Sequence, residues 1–161
     1  MPFEIDAYSP DRIAERIETV GVRKAALPFL AMFLLAVLAG SFIAFGSLFA
    51  TLVSADPALT PGVARPLAGL VFSLGLFLVV VAGAELFTGN NLLAMAWADG
   101  RISTGAMFAN WVVVFLGNAV GAFGVALMVV LAHHPDLNGG AVGAQYVRIA
   151  LAKAALSPQE A

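Results

Sequence analysis

Four stretches of the chain carry no charged residue: 25–55, 66–84, 86–98 and 102–132. A membrane-crossing helix needs about 20 apolar residues. The first, second and fourth stretches are long enough, and the third is too short to cross alone. The pattern predicts three spans, at about 27–53, 66–98 and 103–132, the middle one merging the second and third stretches. That middle element is the informative one. As a single straight helix it would extend about 50 Å, against a hydrocarbon core of about 30 Å. Within it lies Ala84-Glu85-Leu86-Phe87-Thr88-Gly89-Asn90-Asn91-Leu92, a run rich in polar and turn-forming residues. Gly89-Asn90 interrupts a helix, and Thr88 and Asn91 offer caps for a new one. One reading is a span broken near 87–91, with irregular backbone held at membrane depth. The other is a helix that ends near Leu86, about 28 Å from Pro66, followed by an interfacial loop. The residues alone leave both open.

The flanking segments are read from caps and periodicity. Residues 1–25 form an N-terminal arm in which Ser9 and Pro10 open a helix. Ile13, Ile17 and Val20 share one face of it, and Arg12, Glu15, Arg16 and Glu18 occupy the others, so an amphipathic surface helix is expected. Small residues recur in the spans (Ala39, Gly40, Ser41 and Gly46 in the first, Gly117 and Gly121 in the third), which lets helices approach closely in lipid. Asn110 and Asn118 in the third span are expected to hydrogen-bond across helices. Residues 133–161 read as a loop around His133-His134-Pro135-Asp136 and a helix over 145–156 that carries Arg148 and Lys153. Ser157-Pro158 then starts a fourth span that the sequence truncates.

Composition supports the membrane reading. The 161 residues are 61% hydrophobic and 11% charged, with a mean hydropathy of +0.94, whereas soluble domains carry about 25% charged residues. With no cysteine, disulfides and thiolate metal sites are excluded. The two adjacent histidines lack further ligands nearby, so no metal, cofactor or nucleic-acid partner is expected. Nor does the chain offer paired carboxylates or a nucleophile–base set, which argues against an enzyme. Arg12, Arg16, Arg23 and Lys24 precede the first span, while the next loop has only Arg65. The expected orientation is a cytoplasmic N-terminus in an inner cell membrane.

Phe72-Ser73-Leu74-Gly75-Leu76 and Gly83-Ala84-Glu85-Leu86-Phe87-Thr88-Gly89-Asn90 resemble the motifs of the formate/nitrite transporter family. Gly100-Arg101-Ile102-Ser103, Asn110-Trp111 and Leu116-Gly117-Asn118-Ala119-Val120-Gly121-Ala122 resemble that family's third helix and the connection into it. The resemblance implies a polytopic all-α bundle similar to one half of an aquaporin, with a broken second helix, assembled as a homopentamer with one pore per subunit. It implies an apolar constriction at Phe72 and Leu76 and another at Leu86. Thr88, Gly89, Asn90 and Asn91 would form a gating loop. Glu85, an isolated acid, is on its own chemistry expected to hold that loop through backbone N–H groups. Lys153 would attract anions. Phe72, Leu76, Val79 and Gly83 also fall on one helical face by spacing, as any apolar span allows.

The function implied is passage of small monovalent anions, formate, nitrite or similar, possible also in proton-linked form. Family members are nearly twice as long. Their asparagine on the fourth helix and histidine on the fifth find no counterpart here, and His133 and His134 belong to a loop. The alternative expectation is therefore a non-conducting remnant, or a half-subunit that needs a second chain.

Overall fold

The computed structural model describes residues 8–157, and every regular element among them is helical. The order is α1 (Pro10–Ala25), α2 (Phe29–Ser54), α3 (Pro61–Ala82), α4 (Phe87–Asn90), α5 (Leu93–Ala98) and α6 (Thr104–Leu131), then a tight 3₁₀ segment at His134–Gly140 and α7 (Ala141–Ala154). Helices α2, α3 and α6 are each long and apolar enough to cross a membrane. Helix α2 is the centre of the bundle and packs against both α3 and α6, while α1 packs on α5. Most large apolar side chains of α3 and α6 stay exposed, as lipid-facing helices require.

The core is thin because backbones, not large side chains, make the contacts. A side chain at Gly121 would run into the carbonyl of Val37, and one at Gly117 would stand 2.5 Å from Ala36 Cβ. The small-residue pair at 117 and 121 thus sets the α2–α6 approach. Met32, Ala36 and Val114 are buried in that contact, and Ala39, Val79 and Ala84 in the one between α2 and the end of α3.

The break in the second span lies upstream of the expected 87–91. Helix α3 begins at Pro61, its first-turn proline, and runs through Pro66 to Ala82. Pro66 deprives the helix of a single ladder bond in its opening turns. Gly83 then adopts the left-handed conformation (φ 62°, ψ 32°). The Ala84 amide bonds back to the Val79 carbonyl at 3.0 Å and that of Gly83 to Val80 at 3.2 Å, a Schellman closure that favours glycine. Residues 84–86 are non-helical, and Leu86 is extended (φ −102°, ψ 128°). Thr88, Gly89 and Asn90, expected in an irregular loop, form the helical turn α4. Gly89-Asn90 is a weak breaker once the chain has already been turned six residues earlier, at Gly83.

The arm differs from expectation in two respects. Ser9 occupies the cap position of α1, but its side chain makes no capping bond. The helix does not lie free on a surface either: Gly21 is buried against Leu93 and Ala96 of α5. At the other end of the bundle, α7 starts at Ala141, four residues before expected, and Lys153 sits in its last turn. The expected start of a fourth span at Pro158 lies outside the described residues.

Candidate functional site

The polar residues that interrupt the apolar spans converge on the break. Glu85 is 3% exposed, and Asn90 and Asn110 are fully buried. Lys24, in the last turn of α1, donates to Glu85 Oε1 at 2.8 Å and to Asn90 Oδ1 at 2.9 Å. Asn90 Nδ2 donates in turn to Glu85 Oε2 at 2.7 Å and to Asn110 Oδ1 at 2.8 Å. Asn110 Nδ2 reaches the Lys24 carbonyl at 3.3 Å, and Trp111 Nε1 donates to the Asn90 carbonyl at 2.9 Å. The result is a closed knot joining α1, the break, α4 and α6. Its charge is balanced, since one ammonium faces one carboxylate. Buried polar groups persist in an apolar setting only when bonded in this way.

A second set of bonds holds the extended residues. Asn118 Nδ2 donates to the carbonyls of Ala36 and Glu85, each at 2.8 Å, and Asn118 Oδ1 accepts from the Phe87 amide at 2.9 Å. The Glu85 amide donates to the Leu35 carbonyl at 3.2 Å. Beyond the closure at Gly83, the Glu85 amide and carbonyl and the Phe87 amide are thereby bonded by α2 and α6.

Beside the knot is a cavity of about 450 Å³ whose walls include Lys24, Leu76, Glu85, Leu86, Gly89 and Asn90. Leu86 packs against the Ala39–Val79–Ala84 cluster. Phe72, Thr88 and Asn91 are exposed and lie outside this cavity, and Lys153 is exposed on α7. The stripe through Phe72, Leu76, Val79 and Gly83 is not uniform, because Val79 is buried in the contact with α2. Ile17 and Val20 of α1 also line the cavity, so the apolar face expected on a membrane surface borders this space. Glu85 supports the segment, but through the side chains of Lys24 and Asn90 instead of the backbone amides expected from the sequence.

Sequence reasoning used Lys24 only as a topological charge and missed it as a site residue, along with Trp111. A signal was available. Each polar group inside an apolar stretch must find a partner, and Glu85, Asn90, Asn110 and Asn118 needed more donors than they supply to one another.

Three apolar spans, one interrupted by extended backbone bonded to neighbouring helices, define a multi-pass membrane protein of the broken-helix kind, the architecture that transport proteins use for their sites. The chain belongs to the formate/nitrite transporter family, a family of channels and transporters, whose description, "Formate/nitrite transporter", matches residues 11–161. It is 40% identical over 140 residues to the formate channel FocA of Escherichia coli (strain K12), covering 86% of this chain and 48% of that protein. It is 37% identical over 128 residues to a probable formate transporter of Methanothermobacter thermautotrophicus, covering 77% of this chain and 47% of that one. Among solved structures, an FNT family ion channel superposes with a TM-score of 0.70 at 29% identity, over 76% of this chain and 50% of that chain. The chain spans about half the length of the curated relatives it matches.

Proposed function

We propose that this chain builds one half of a pathway for small monovalent anions, formate and nitrite foremost, across a cytoplasmic membrane. The observation that carries this reading is the charge-balanced knot of Lys24, Glu85 and Asn90, which holds a broken span beside a cavity walled by Leu76 and Leu86. An unbalanced carboxylate at that place would repel an anion. With Lys24 against it the repulsion is cancelled.

In this reading the α1 end faces the cytoplasm, as the Arg12, Arg16, Arg23 and Lys24 cluster favours. Phe72 and Leu76 form one apolar constriction and Leu86 the other, with Thr88, Gly89, Asn90 and Asn91 as the gating segment between the cytoplasm and Leu86. Five copies assemble, each with its own path. Moving a bare anion past apolar rings costs several kcal/mol in desolvation, so a weak-acid anion crosses more easily with a proton, and transport of formate is proton-linked. Lys153 concentrates anions at the outer mouth by electrostatic focusing.

Lys153→Ala tests that last role. Formate uptake into proteoliposomes should fall by about tenfold at low ionic strength, and the difference should shrink as salt rises. Equal flux at all salt concentrations would remove Lys153 from the pathway. Because the chain spans about half the length of the relatives it matches, flux is to be measured both from the chain alone and with a second half supplied.

A further inference from the structure

The hydrogen bonds of Asn118 single out one residue of the proposed constrictions. Its amide bonds the Glu85 carbonyl and the Phe87 amide, the peptide groups on either side of Leu86. The second contact of Nδ2, to the Ala36 carbonyl, ties the same point to α2. The orientation of the amide is unambiguous, because two carbonyls face Nδ2 and one N–H faces Oδ1. Both hydrogens of the amide and its oxygen are therefore engaged. Asn118 replaces, for one residue, the partner strand that an extended segment would otherwise need. It does so only because α2 and α6 are in backbone contact: a side chain at Gly40 would collide with the Asn118 carbonyl, and one at Gly121 with Val37.

We propose that Asn118 is the positioning residue of the Leu86 constriction: it fixes the backbone on both sides of Leu86 and so sets the bore at that point. The proposal rests on the reading of Leu86 as a constriction. It assigns the bore to a side chain on α6 that does not itself line the cavity. Loosening this clamp widens the passage, whereas loss of an ordinary packing contact would lower the amount of folded protein and reduce every flux alike.

Two measurements decide it. The first is amide exchange of the full chain in lipid nanodiscs. Phe87, Thr88 and Gly89 open α4, and the first N–H groups of a helix have no partner within it. Phe87 should nonetheless be protected and Thr88 and Gly89 should not, and Asn118→Ala should speed exchange at Phe87 by about tenfold while α2 and α6 stay protected. Fast exchange at Phe87 in the unaltered protein, or an unchanged rate in the variant, overturns the proposal. The unaltered protein supplies this result even where the variant does not fold.

The second is the permeability ratio of lactate to formate in proteoliposomes. Asn118→Ala should raise it several-fold, Leu86→Ala should do the same, and the double variant should add nothing beyond Leu86→Ala. A parallel fall in both fluxes, with the ratio unchanged, overturns the proposal while leaving the anion pathway intact. If the unaltered protein passes neither solute, alone or with a second half supplied, the pathway reading fails, and the exchange data alone decide whether Asn118 positions Leu86.

Discussion

Replacing Lys24 by methionine is expected to destabilise the folded chain by about 3–5 kcal/mol, the usual cost of removing one partner from a buried ion pair. The Glu85 side chain is 4% exposed, against 25% for Lys24, so the carboxylate is the group stranded. It would keep only the Asn90 amide as a donor, and Asn90 would lose the ammonium on its oxygen. At about 2–4 °C per kcal/mol for a chain of this size, thermal unfolding in detergent should drop by roughly 10 °C. The double variant Lys24→Met, Glu85→Gln should recover most of that loss, because no charge is left buried and the Asn90 contact survives. Failure of the double variant to recover would mean that the pair matters through shape and not charge.

The second large effect is expected at Gly121. Leucine there would drive the side chain into the Val37 carbonyl and the Ser41 amide, so α6 must move off α2. Overpacking of this kind costs about 3 kcal/mol or more. The movement would also withdraw Asn118 from the Ala36 carbonyl and Ser41 from the Gly121 carbonyl. Loss of monodisperse protein, or a thermal midpoint lower by roughly 10 °C, is the expected result. Gly124→Leu is the control. It lies one turn further along the same helix, nothing stands within 4 Å of the position its side chain would start from, and its stability should be unchanged. Equal effects at both positions would show that helix propensity, not the α2–α6 contact, is being measured.

How much of this was legible in the sequence follows from the range of the forces involved. Hydropathy is a local property, so the three spans were readable from uncharged run lengths, whereas the break in the second was one of two open readings until the family resemblance favoured it. The contact at Gly117 and Gly121 was readable from spacing. The register of the break was not. Gly83 and Gly89 are both plausible breakers by composition, and the choice of Gly83 depends on the Ala84 amide closing onto Val79 and on α2 receiving the chain afterwards through Leu35. The pairing of Lys24 with Glu85 and of Asn118 with Phe87 spans 61 and 31 residues, and no periodicity encodes a partner at that distance. Glu85, expected to bond backbone N–H groups of residues 88–91, bonds the side chains of Lys24 and Asn90. The constriction residues came from the family resemblance, since any apolar helix presents a stripe like Phe72 and Leu76.

The most direct test of the account is anion-driven swelling of liposomes containing the purified chain, with formate and nitrite supplied separately and insertion shown by protease protection. Swelling above that of empty liposomes is expected with both anions, from the chain alone or once a second half is supplied. Correctly inserted protein that swells with neither anion in either arrangement would contradict it.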